Sequence, residues 1–278
     1  MPQVSGETPS VSRAVVVGAG TMGTGIAQVL AAAGIHVTIV DKDEVALARA
    51  SRDLGALLAR ADGAGEIETA SSVADATADA AVEAVHESLD AKREVFAALD
   101  AALGPEALLA TNTSSLSVGE IAQATTRPER VVGLHFMNPA PVMKLVEVVR
   151  AEASSDEAVE RAAALARQIG KTPVVVADRP CFVVNRVLIP MINEAARALE
   201  SGVADAESID KAMTLGAGFR MGPLHLADLI GLDVVVAELR ELARSLGPAY
   251  APSAELVRRA ERGELGRKTG AGFFAYRR

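Results

Sequence analysis

His135 and Glu147 are the residues whose types and spacing most plainly offer chemistry. They bound the segment HFMNPAPVMKLVE. Before it, Val131-Val132-Gly133-Leu134 reads as a buried strand, and Leu145 to Val149 reads as another. Between them, Asn138-Pro139-Ala140-Pro141 must turn, because two prolines fix φ and remove backbone donors. If the two runs pair antiparallel about position 141, His135 lies opposite Glu147, in side-chain contact range. An imidazole oriented by a carboxylate is the pair a general base needs. A surface histidine and a solvated glutamate at a hairpin end would carry the same letters, so the elements around them matter.

The first of those elements is near the start. Ala14-Val15-Val16-Val17 reads as a buried strand and runs into Gly18-Ala19-Gly20-Thr21-Met22-Gly23. A helix over 24–33 follows, stopped by Gly34, and then a strand from His36 to Val40 that ends at Asp41. Strand, glycine turn, helix, strand and acid form the dinucleotide-binding fingerprint in its required context. Gly18 allows the tight turn, Gly20 lets backbone approach a pyrophosphate, and Gly23 lets helix pack on strand. The helix N-terminus offers N–H groups and a positive dipole end to phosphates. Asp41, about 20 residues on, would bind both ribose hydroxyls and repel a 2′-phosphate, so NAD is expected rather than NADP.

Further along, residues 42–78 read as helical and polar, broken at Asp62-Gly63-Ala64-Gly65. Ala80 to Val85 is a third strand ending in His86-Glu87, and 88–103 a helix closed by Gly104-Pro105. A fourth strand, Ala107 to Ala110, leads to Thr111-Asn112-Thr113-Ser114-Ser115. Small polar residues at the carboxyl end of a parallel strand lie where ligands bind in open α/β sheets. Ser154-Ser155-Asp156-Glu157 fits a capping box for a helix ending at Gly170, and Pro173 to Ala177 is a last strand. Phe182 opens a long helix that Pro190 should kink, and shorter glycine-bounded helices follow. The chain thus divides into a disordered leader (1–12), an α/β domain with a mainly parallel sheet (13–179) and a smaller all-α domain (180–278), with Asp178-Arg179-Pro180 as hinge.

Composition limits the partners. Half of the 278 residues are hydrophobic, the net charge is −8 and no basic block occurs, which argues against nucleic acid or an anionic membrane surface. A lone cysteine, Cys181, excludes an internal disulfide and fits a reducing compartment. No signal peptide or membrane-span pattern is present, so a cytoplasmic protein is expected. No metal-ligand cluster is read.

With VVVGAGTMGTGIA, ATNTSSLS, VVGLHFMNPAPVMKLVEVV, FVVNR, LGAG-x-x-MGP and GRKTGAGFF in this order, the chain resembles the 3-hydroxyacyl-CoA dehydrogenases, especially the 3-hydroxybutyryl-CoA type. The resemblance runs from Val15 almost to the C-terminus. It implies a Rossmann-like domain followed by a helical substrate and dimerisation domain, and a reversible, NAD-dependent exchange of an (S)-3-hydroxyacyl thioester with its 3-oxoacyl form. It implies His135 as general base, Glu147 as its orienting partner, and Ser114 and Asn185 as donors to the reacting oxygen and the thioester, with Asn138 shaping the pocket. It also implies NAD contacts at Gly18, Gly20, Thr21, Met22, Gly23, Asp41, Glu87, Lys92, Asn112, Ser114 and Lys268, and a homodimer.

Three departures bear on that expectation. Residues 44–70 are shorter than family members usually are and hold no lysine, only Arg49, Arg52 and Arg60. Part of the family's CoA surface lies there, so an acyl-carrier-protein thioester is an alternative substrate to CoA. Cys181 stands where the family usually has glycine, and His86 where it often has proline; a buried structural thiol is the expected role of Cys181. Two other classes stay open: a dinucleotide-binding protein without turnover, which need not retain His135, Glu147, Ser114 and Asn185 together, and a hydroxyacid dehydrogenase using a catalytic lysine, for which Lys211 and Lys268 lie in no matching motif.

Overall fold

The computed structural model describes residues 10–58, 63–74 and 76–277. The chain forms two compact units, up to Arg179 and from Pro180. In the first, among the described residues, eight strands make one sheet: β1 (Arg13–Val17), β2 (His36–Val40), β3 (Ile67–Ala70), β4 (Ala80–Glu83), β5 (Leu108–Thr111), β6 (Val131–Phe136), β7 (Leu145–Arg150) and β8 (Thr172–Ala177). Their spatial order is β3-β2-β1-β4-β5-β6-β7-β8, and all neighbours run parallel except the antiparallel pair β6 and β7. Helices α1 (Thr21–Ala32), α2 (Glu44–Leu58), α3 (Leu89–Ala102), α4 (Val118–Ala122) and α5 (Asp156–Gln168) connect them. β1, β4, β5 and β6 are apolar nearly throughout because both faces of the inner sheet are covered. Val16, Ile26, Leu30, Ile39, Leu54 and Val148 belong to the resulting core.

Several expectations need correction. The polar stretch after the glycine break is not helical: Ile67–Ala70 is the edge strand β3, parallel to β2. It reads weakly because an edge strand needs little apolar surface, and its Glu68 and Thr69 are exposed. Val11 and Ser12, expected within a disordered leader, are held in place. Val11 is buried, its N–H and carbonyl bonded by the Gln168 side chain, and Asp79 accepts from both N and Oγ of Ser12. Residues 1–9 lie outside the described residues. The helix cap is Ser155, which accepts from Ala158 N, whereas Ser154 Oγ turns inward to donate to the Val131 carbonyl at 2.6 Å. α1 begins at Thr21 rather than 24, since Gly20 already caps it.

The second unit holds α6 (Val184–Glu200), α7 (Ala206–Gly216), α8 (Pro223–Ile230), α9 (Leu232–Leu246) and α10 (Ala254–Glu261). Ile192, Leu224, Leu239, Leu242 and Leu256 share its core. α6 continues through Pro190, and it starts two residues later than Phe182 because Cys181 and Phe182 take left-handed φ values of 59° and 53°. Asp228, buried in α8, accepts from Phe273 N, Phe274 N and Tyr276 Oη, which folds the GRKTGAGFF segment back onto the helices.

Candidate active site

β6 and β7 pair His135 directly with Glu147. His135 Nδ1 lies 2.7 Å from Glu147 Oε2, and both residues are buried. A carboxylate can only accept, so Nδ1 is the donor in this contact. The turn that sets this register is held from outside by Lys171, whose Nζ donates to the carbonyls of Ala140 and Met143 at 2.7 Å each. Asn138 is exposed on that turn, at a cis bond to Pro139.

The strand before β6 brings its polar loop alongside. Asn112 Oδ1 accepts from Phe136 N at 2.8 Å, tying the end of β5 to the residue after His135. Glu87 gathers the rest of the loop. It accepts from Thr113 Oγ1, from Ser114 N at 3.0 Å and from Ser115 N at 3.2 Å. Burial works against the charged form of Glu87, but the Lys92 ammonium and the Thr113 and Ser114 hydrogen bonds together hold its carboxyl below the usual range. Lys92 is itself buried, donating to Glu83 at 2.7 Å and lying 3.3 Å from Glu87 and 3.4 Å from the Val85 carbonyl. Its three N–H groups are thus directed at these protein oxygens. Glu83, fully buried, also accepts from Thr111 Oγ1 and Val85 N at 2.7 Å each. Sequence reasoning missed Glu83; its signal was a glutamate closing an otherwise apolar strand.

The glycine turn leads into α1, whose first turn has no acid and whose cap, Gly20, contributes no side chain. Gly18 has φ +110°, and a Cβ there would meet the Ala84 carbonyl oxygen at 2.6 Å. A Cβ on Gly20 would meet nothing, so the turn's backbone is open on that side. Thr21 and Met22 form the first helical residues, and Gly23 packs against the Gly18 carbonyl. Asp41 stands beside this turn, accepting from Ala19 N at 2.7 Å and Asp43 N at 3.0 Å. A cleft of about 490 Å³ runs from Gly18 and Gly20 past Asp41 to Val40, Val85 and Val95. Open backbone amides, an acid and an apolar slot in one cleft fit a dinucleotide.

Asn185 and Lys268 belong to the second unit. Asn185 Nδ2 donates to Glu238 Oε1 at 3.4 Å, and Lys268 Nζ is bound by both carboxylate oxygens of Asp233 at 2.6 and 2.7 Å. Cys181 is buried, and burial together with the Glu238 carboxylate pushes its thiol well above the ordinary range, which suits a passive donor. Among the described residues no group of three His, Cys, Asp or Glu is arranged to hold a metal, and no helix is long and apolar enough to cross a membrane.

Residues 13–179 match the 3-hydroxyacyl-CoA dehydrogenase NAD binding domain, and residues 182–276 match the C-terminal domain of the same family. The chain belongs to the 3-hydroxyacyl-CoA dehydrogenase family. It is 44% identical to a probable 3-hydroxybutyryl-CoA dehydrogenase of Bacillus subtilis, over 96% of this chain and 98% of that one. It is 42% identical to a 3-hydroxybutyryl-CoA dehydrogenase of Clostridioides difficile, over 94% and 98%. The crystal structure of an (S)-3-hydroxybutyryl-CoA dehydrogenase from Ralstonia eutropha superposes with a TM-score of 0.90 at 38% identity, covering 97% of this chain and 100% of that one. Its N-terminal match is to an NAD binding domain, and NAD is the cofactor.

Proposed function

We propose that the protein interconverts a 3-hydroxyacyl thioester, of the 3-hydroxybutyryl-CoA kind, and its 3-oxoacyl form, with His135 as general acid and base. The observation that carries this reading is the buried His135–Glu147 pair at 2.7 Å. Bound NAD supplies the hydride acceptor. His135 Nε2 takes the substrate hydroxyl proton as hydride leaves the same carbon, and returns it in the reverse direction. Glu147 fixes the tautomer and stabilises the imidazolium as it forms. Ser114 and Asn185 are neutral donors that stabilise charge on oxygen without competing for the proton. The glycine turn and Asp41 would hold the cofactor. Glu87, Asn112 and Lys92 shape the loop beside it, and Lys268 and Asn138 complete the contacts inferred from the family. NADH oxidation with acetoacetyl-CoA, with NADPH in parallel, is expected to be rapid and NADH-selective. A His135→Gln variant that kept its kcat would overturn the assignment.

The short, lysine-free segment behind Asp41 supports a second reading, in which the acyl group arrives on a carrier protein. In α2 the basic residues are Arg49 and Arg52. Matched CoA and carrier-protein thioesters separate the two by kcat/KM. We further propose a cytoplasmic homodimer formed through the second unit, where Val187, Leu215 and Leu229 are 67%, 78% and 50% exposed. A monomeric mass by light scattering would remove the dimer.

A further inference from the structure

Among the buried carboxylates of the second unit, Asp210, Asp228 and Glu238, the last is the one bonded to a proposed site residue. Glu238 lies in the middle of α9, 6% exposed, on the helix that also supplies Val235, Leu239 and Leu242 to the core. An ionised carboxylate in such a place is costly unless donors meet it. Glu238 Oε2 accepts from Cys181 Sγ at 3.2 Å and Oε1 accepts from Asn185 Nδ2 at 3.4 Å. These two donors flank the first turn of α6, whose N-cap, Val183, provides no side-chain cap. The carboxylate therefore sits at the positive end of a 17-residue helix. The left-handed backbone at Cys181 and Phe182 is the bend by which the chain enters that helix.

We propose that Glu238 is a positioning residue for Asn185: its carboxylate fixes which way the Asn185 amide faces and so aims that amide at the substrate thioester. The proposal rests on the reading that Asn185 hydrogen-bonds the thioester. The chemistry is one of donor and acceptor count. A side-chain amide has a donor end and an acceptor end of nearly equal shape, so it can flip. A carboxylate accepts only, so Nδ2 must face Glu238 and Oδ1 must face away. One Nδ2–H is taken by Glu238, and the same bond sets the direction of the other. Glutamine at 238 has the same shape but offers both a donor and an acceptor, so either orientation of Asn185 becomes allowed. Cys181 serves the same carboxylate from the other side.

The test is a double-mutant cycle on the full chain with acetoacetyl-CoA and NADH, using Asn185→Ala, Glu238→Gln and both together. We expect Glu238→Gln alone to lower kcat/KM roughly tenfold, a fraction of the loss for deleting a transition-state donor outright. The KM for NADH should stay near wild type. In the Asn185→Ala background the same change should cost less than about twofold, the range of independent sites. An equal loss in both backgrounds, or no loss in the wild-type background, would overturn the positioning role and leave Asn185 untouched. No loss in Asn185→Ala itself would overturn the underlying reading of Asn185, and this proposal with it. If Glu238→Gln does not fold, Glu238→Asp, which keeps the charge but withdraws it by one methylene, runs through the same cycle with the same outcomes.

Discussion

Lys92 Nζ lies 2.7 Å from Glu83 Oε1, and neither side chain reaches solvent. A buried pair of this kind contributes little relative to an apolar pair, but losing one partner strands the other. Lys92→Met should therefore destabilise the protein by about 3–5 kcal/mol, with Glu83→Gln added to it restoring part of the loss. Urea unfolding of the single and double variants measures this. A Lys92→Met protein as stable as wild type would overturn this account of the pair.

In the proposed mechanism Glu147 acts on the substrate only through His135. Glu147→Gln keeps the shape but removes the charge that stabilises the imidazolium, and kcat should fall about 10²-fold, toward the lower range of general-base effects. Combined with His135→Gln, it should add almost nothing, because residues that act as one unit do not add. Steady-state kcat for the three variants decides, and independent multiplicative losses would separate the two roles.

The glycine turn predicts opposite behaviour at two neighbours. A Cβ on Gly20 meets nothing in the protein, so Gly20→Ala should leave the thermal midpoint unchanged while weakening NADH binding, because in the proposed site the new methyl would stand between the backbone and the pyrophosphate. A Cβ on Gly23 would lie 1.7 Å from the Gly18 carbonyl oxygen, so Gly23→Ala should lower both stability and affinity. Thermal melts and NADH fluorescence titration on both variants check the contrast.

Glu87 links the site to pH. Its folded carboxyl titrates below the ordinary 4.5. A depressed folded pKa gives stability that is complete above the unfolded value and is lost as pH falls through the folded one. Stability should thus decline as pH falls below about 4.5, and more gently in Glu87→Gln, which no longer titrates there. Midpoints of urea unfolding across that range measure it; parallel curves for the two proteins would assign the decline to other carboxylates.

The parts of this architecture that were legible in the sequence are those where one physical requirement dominates. Continuous apolar runs mark the inner strands, and the proline-rich turn marks the pairing of His135 with Glu147. β3 was not legible, because a four-residue edge strand with two exposed polar residues has neither apolar content nor length to mark it. Nor was the Glu83–Lys92–Glu87 chain, since buried charge is a property of packing and these residues look like surface residues in sequence. The bond between Cys181 and Glu238 joins residues 57 apart and has no local signature.

The hairpin carries a consequence for how this chain can change over time. Side chains alternate across a sheet, so sliding β7 by one residue against β6 would send Glu147 to the opposite face from His135. The eight residues between the strands, 137–144, are held at one length by that requirement. A residue gained or lost there disarms the site even if every side chain in it is kept, unless a bulge takes up the difference. The connection after α2 faces no such constraint, because the edge strand it leads to carries none of the site residues. Lineages of this protein should therefore vary in length behind Asp41 and keep their count between His135 and Glu147.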